Sequence, residues 1–248
     1  MKKNGFTLAE VLIALGLVGV LSAMAVPTLV KNNQNQIFAN SLSAAVSGFE
    51  NTMTSMIVRE NVTNLHETPA WEDIGDFDAF VENLSEVMNL EESNSNSNDY
   101  YGGNINILNS ANTQQSSTVF GGDAFTLVTT KGIVYHIRPI SSENQNRTDF
   151  QAISSGVNIT RIAAWVFIDV NGNERPNRTG RDIFGFILGN DGIMYPLGGR
   201  DVAFQVDNNA ANIWSTDASS YTCTDTVKDN FALGCTARLI DNNYRIDY

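Results

Sequence analysis

The sequence predicts an α+β fold in which a long N-terminal helix packs on an antiparallel β-sheet. Three patterns predict it. From Phe6 to Val30 the chain is apolar except for Thr7, Glu10, Ser22 and Thr28. From Ile37 to Glu60 apolar residues recur at helical spacing. Beyond Asn104 the period falls to two. The 248 residues, 42% of them hydrophobic, suffice for one globular body on such a helix.

The first segment, as a helix, runs roughly 37 Å, enough to cross a bilayer. It follows a short basic stretch, Met1-Lys2-Lys3-Asn4-Gly5, so it reads either as a secretory signal peptide or as a retained membrane helix. Ser22-Ala23-Met24-Ala25 offers a signal-peptidase site. Glu10 favours retention, because a carboxylate at mid-bilayer costs about 2.5 to 3.5 kcal/mol and a discarded segment has no use for it. Pro27 removes one backbone donor and crowds the preceding turn, so it either bends the helix or ends it.

The second segment places Ile37, Phe38, Leu42, Ala45, Val46, Phe49, Met53, Met56 and Ile57 on one side. This is the amphipathic half of the helix, residues 31–66, with its stripe on the globular domain, residues 67–248. Pro69 and Gly75 break the helix, and Phe77, Phe80, Val81, Leu84, Val87 and Met88 mark another short one. The Ser/Asn tract from Glu91 to Asn104 reads as a solvated loop. Ala124–Thr130 and Ile133–Ile140 form a hairpin around Lys131-Gly132. Arg161–Val170, Asp182–Leu188 and Ile193–Leu197 are further strands, the last two joined by Asn190-Asp191-Gly192.

The formal net charge of −12 argues against nucleic acid as a partner, because a phosphate backbone is repelled by a surface of that sign. Loss of Lys2 and Lys3 with a leader would take it from −12 to −14. The only cysteines, Cys223 and Cys235, read as a local disulfide formed outside the cytoplasm, with two free buried thiols as the alternative.

Between the strands, Asp169-Val170-Asn171-Gly172-Asn173-Glu174 and then Gly180-Arg181-Asp182 set side-chain oxygens at alternate positions. Asp169, Asn171, Asn173 and Asp182 are therefore candidate calcium ligands, although the spacing is not that of an EF-hand. The bland alternative is a polar loop in which Asp and Asn bond their own backbone. His66 and His136 lie in no metal or nucleophile motif, so an enzyme such as a membrane-tethered hydrolase has little support.

Gly5-Phe6-Thr7-Leu8-Ala9-Glu10, after a short Lys-containing leader, resembles the processing site of type IV prepilins and type II secretion pseudopilins. The resemblance covers about the first fifty residues. It implies a leader, residues 1–5, cut by prepilin peptidase after Gly5, and methylation of the new N-terminus at Phe6. It implies a transmembrane and assembly helix, residues 6–30, in which Glu10 is the acidic assembly position and Pro27 the bending proline. The expected fold is pilin-like, and the expected location is the inner membrane, then a periplasmic pseudopilus or an extracellular pilus. The expected partners are other pilin-like subunits, the peptidase and the inner-membrane assembly platform. A low-copy minor pilin or tip adhesin is the alternative role. Major pseudopilins carry calcium in a C-terminal loop similar in kind to residues 169–182.

Overall fold

The computed structural model describes residues 7–72, 76–100, 107–108, 114–115, 120, 124–140, 152–153, 158–159, 162–197, 203–204, 223 and 234–246. Helix α1 spans Leu8–Arg59, 52 residues, and runs through Pro27 without ending there. Thr7 caps its start. Its hydroxyl accepts the Glu10 N–H at 3.2 Å, while Glu10 Oε2 accepts the Thr7 N–H and the Thr7 hydroxyl, each at 2.8 Å. This reciprocal box satisfies donors that a helix N-terminus otherwise leaves bare. At the other end Asn61 turns left-handed at φ 53°, and the N–H groups of Asn61 and Val62 bond the carbonyls of Val58 and Ile57. That is a Schellman stop, which ends the helix at Arg59 and short of residue 66.

The two halves of α1 differ in what covers them. None of its apolar membrane-length window is buried, and every buried residue of the helix lies at or beyond Asn35. Phe38, Ala39, Leu42, Ala45, Val46, Phe49, Met53 and Met56 form the buried stripe. Ile37 does not join it and is 52% exposed, whereas Asn35 does.

The stripe lies on a six-stranded antiparallel sheet of order β1-β4-β5-β8-β9-β10. Its strands are β1 (Leu90–Asn94), β4 (Phe125–Thr129), β5 (Val134–Pro139), β8 (Ile162–Asp169), β9 (Ile183–Gly189) and β10 (Met194–Pro196). Short pairs are made by β2 (Ile107–Leu108) with β3 (Gln114–Gln115), and by β6 (Ala152–Ile153) with β7 (Asn158–Ile159) and β11 (Ala203–Phe204). The β4–β5 hairpin turns at Gly132, whose φ of +75° suits glycine. Leu127, Tyr135, Ile137, Val166, Ile168, Phe184 and Phe186 join the α1 stripe in one core. Tyr135 stacks on Phe49 with ring centroids 4.9 Å apart and donates its hydroxyl to the Ala45 carbonyl at 3.0 Å. Burying a side chain such as Phe49 or Leu42 contributes about 1.5 to 3 kcal/mol, so this stripe is what ties the helix to the sheet.

Helix α3 (Phe77–Ser85), capped by Asp76, adds Phe80 and Leu84 to the core beside Trp71 of α2 (Pro69–Glu72). The Glu91–Asn104 tract is not all loop. Its start forms the edge strand β1 on β4, and Ser97–Tyr100 forms the short helix α4. Helix α5 (Gly234–Asp241) is an element that the sequence pattern does not announce, and its Thr236 hydroxyl accepts the Gly185 N–H of β9 at 3.0 Å. Cys223 and Cys235 form a disulfide, with Cα atoms 4.6 Å apart, and both cysteines are buried.

Candidate functional site

The N-terminal end of α1 is the first candidate. Gly5 and Phe6, the expected cleavage junction, lie outside the described residues. The residues that follow them are placed. Glu10 is exposed, and both hydrogen bonds that it accepts fall on Oε2, which leaves Oε1 open. The Thr7 N–H is donor to this box, so the cap needs nothing N-terminal to Thr7. Glu10 therefore does two things at once: it closes its own helix and presents a second carboxylate oxygen to solvent. Thr7-x-x-Glu10 carries the capping-box signature, so this role was available from sequence.

Pro27 stands in the exposed half of α1. Having no N–H, it leaves the Ala23 carbonyl without its helical donor. One residue on, the Thr28 hydroxyl bonds the Met24 carbonyl at 3.4 Å. The helix at this point thus carries weakened backbone bonding and no contact with the sheet.

The 169–182 loop is the second candidate, and the expected ligand set does not fit one cation there. Asp169 and Asp182 are buried, but Asp169 Oδ1 accepts the Asn171 N–H at 3.1 Å. Asp182 Oδ2 accepts the Asn177 N–H at 2.8 Å, and its Oδ1 accepts the Arg178 N–H at 2.6 Å. The Asn171 amide nitrogen donates to the carbonyls of Glu174 and Arg175 at 2.9 and 3.3 Å. Turned nitrogen-inward, the Asn177 amide likewise donates to the carbonyls of Glu174 and Gly172, at 2.8 and 2.9 Å. Asn173 is exposed, apart from the buried aspartates. One buried oxygen, Asn171 Oδ1, lacks a partner, far short of the six to eight oxygens that calcium takes. Among the described residues no group of three or more His, Cys, Asp or Glu is placed to hold a metal. Asp169 Oδ1 and both Asp182 oxygens accept the loop's own backbone N–H groups, and burial raises the Asp182 carboxyl to about 6 in spite of its N–H donors.

The histidines have structural surroundings. His136 is fully buried in β5, its Nδ1 2.9 Å from the Thr126 hydroxyl and its ring stacked on Phe120 at 4.0 Å. Burial lowers its pKa to about 3, so the ring is neutral. His66 sits in the short 3-10 turn Leu65–Glu67 and donates its backbone N–H to Asn190 Oδ1 at 3.0 Å.

Residues 1–26 match the family model of the prokaryotic N-terminal methylation motif. This is the prepilin-type motif of type IV pilins and pseudopilins. No curated protein and no solved structure matches the chain. The match ends within the exposed half of α1, so it bears on the helix end described above and leaves the sheet domain untouched.

Proposed function

We propose that this chain is a structural subunit of a type IV pilus or a type II secretion pseudopilus, cut by prepilin peptidase between Gly5 and Phe6 and polymerised through its N-terminal helix. The observation that carries this reading is the division of a single 52-residue helix. One half is apolar and uncovered and starts at the Thr7–Glu10 capping box, and the other is sunk by its stripe into an antiparallel sheet. A stretch that long and apolar, left bare by its own domain, needs lipid or other copies of itself as solvent.

In this reading the leader, residues 1–5, is removed, and residues 6–30 anchor the subunit in the inner membrane and then line the fibre axis. Residues 31–66 and the domain at 67–248 form the outward body. Cleavage creates an amine on Phe6 beside an apolar helix face. Such a charge requires a partner at low dielectric, and the open Glu10 Oε1 of a neighbouring copy supplies one. Pairing amine to carboxylate fixes the axial register between copies. Around Pro27 the weakened backbone bonding lets the uncovered half bend to its neighbours without disturbing the half held by the sheet.

N-terminal sequencing and intact-mass measurement of the membrane-extracted protein test this. The expected mature chain begins at N-methylated Phe6. A start after Ala23 or Ala25 would make the protein an ordinary secreted one and overturn the filament reading.

A further inference from the structure

A cavity of about 250 Å³ lies where α1 leaves its uncovered half. It is lined by Asn32, Asn35 and Gln36 of the helix and by Tyr244, Arg245 and Ile246 after α5. Asn35 is only 8% exposed, and its amide oxygen has no hydrogen-bond partner among the described residues. A buried acceptor in that position takes a donor from whatever fills the cavity, a water or a bound group. On the other wall Arg245 is exposed and enters neither of the two ion pairs formed among the described residues. The cavity therefore offers a cation, amide donors and one acceptor in need of a proton donor.

Its height along the helix says what could enter. Lys31 is the first charged residue after Glu10 and marks the end of the apolar run. At 1.5 Å per residue, Asn32 to Gln36 stand about 2 to 8 Å beyond it. The headgroup layer on each side of a hydrocarbon core is about 5 to 8 Å deep. The cavity then lies within that layer, in a chain whose net charge of −12 gives no general attraction to an anionic surface. Binding there must come from a shaped site.

We infer that this cavity holds the headgroup of a membrane glycerophospholipid that carries a hydrogen-bond donor. The phosphate lies on Arg245 and the amide nitrogens of Asn32 and Gln36, and the amine or hydroxyl of the headgroup donates to Asn35 Oδ1. The inference rests on residues 6–30 being membrane-spanning, as proposed above. A lipid so held would set the height of the subunit in the membrane and would have to be released on its entry into a fibre.

The full chain, reconstituted in nanodiscs, is tested with phosphatidylethanolamine and with phosphatidylcholine, which differ in whether the headgroup amine can donate. Flotation reports insertion, and native mass spectrometry after detergent release counts retained lipid. The wild type should retain phosphatidylethanolamine in preference to phosphatidylcholine. Arg245→Gln should lower retention of both about tenfold, as expected for one lost charge-assisted contact. Asn35→Leu should abolish the preference, with a melting curve to show that it is folded. Equal retention of the two lipids by the wild type, or unchanged retention in Arg245→Gln, overturns the inference. Displacement of the lipid by millimolar inorganic phosphate would assign the site to a free anion and overturn it as well. A chain that fails to float overturns the membrane reading and this one with it, whereas a chain that floats without retained lipid overturns this one alone.

Discussion

Substitution of Glu10 separates its two roles. Glu10→Ala removes the glutamate half of the capping box and the charge together, while the Thr7 hydroxyl still accepts the backbone N–H of residue 10; Glu10→Gln keeps both halves, because glutamine at the third helical position can close the same box with Thr7. A whole N-cap is worth about 1 kcal/mol, which bounds what the glutamate half contributes. Removing the partner of a buried amine costs about 3 to 5 kcal/mol. At 1.4 kcal/mol per tenfold, loss of that half of the box would raise the subunit concentration needed for assembly at most about fivefold, and the lost pair about 140- to 3,700-fold. Both variants should be cut at Gly5, methylated and inserted like the wild type, as intact mass and membrane fractionation would show. Both should lose assembly, read as this chain in sheared surface or periplasmic fibres. If Glu10→Gln polymerises normally while Glu10→Ala does not, the glutamate serves as a helix cap and the pairing role is wrong. Normal fibres from both variants would remove Glu10 from assembly altogether.

Three further outcomes are expected of the domain. Phe49→Ala, which empties the stacking site on Tyr135, should destabilise the detergent-solubilised chain by about 3 to 5 kcal/mol in denaturant titration, and a loss below 1 kcal/mol would mean that the stripe does not hold helix to sheet. Two buried groups should oppose each other in pH dependence. Asp182, raised from 3.8 to about 6, loses stability as pH rises through 4 to 6, whereas His136, lowered from 6.5 to about 3, gains stability from pH 3 to 6.5. Their slopes of about 1.4 kcal/mol per pH unit cancel between 4 and 6, so Asp182→Asn should uncover a rise of that size with pH, and a slope identical to that of the wild type would refute it. Millimolar calcium and chelator should give the same melting temperature, because the aspartates of the 169–182 loop already serve backbone N–H groups. A calcium-dependent rise of several degrees would show that the loop reorganises around a cation.

Much of the fold was legible because burial writes itself into spacing. The run to Val30 is apolar on every side, as befits a helix that its own domain leaves uncovered, and the stripe from Phe38 to Met56 narrows to one side where the sheet begins. The strands around Val166 and Phe186 are nearly continuous apolar runs between turn residues, whereas those around Leu127 and Tyr135 interleave apolar residues with Thr126, His136 and Arg138. What escaped lacked that signature. Asn35 sits three and four residues before Phe38 and Ala39, on the stripe by position, but its amide hides it. Strand β1 has Glu91 and Glu92 at its centre and an exposed pattern, since an edge strand is held by backbone bonds to one neighbour and gains from charges that deter a second. Helix α5 is too short to show periodicity without its contacts to β9.

The candidate site divides along the same line. The methylation motif matched over residues 1–26 is a linear segment, so its signal is complete in the sequence and could be recognised without any knowledge of the sheet. The 169–182 loop depends on direction. An Asp or Asn oxygen aimed at a cation and one aimed at an N–H two residues on need the same residue types at the same alternation, because in each case a short polar side chain must fold back over its own turn. Asp182 makes the difference concrete, with its two oxygens on the N–H groups of Asn177 and Arg178. A cation beside it would hold that carboxylate charged, whereas burial among backbone donors leaves its pKa raised, so the titration of Asp182 reports which of the two arrangements the loop adopts.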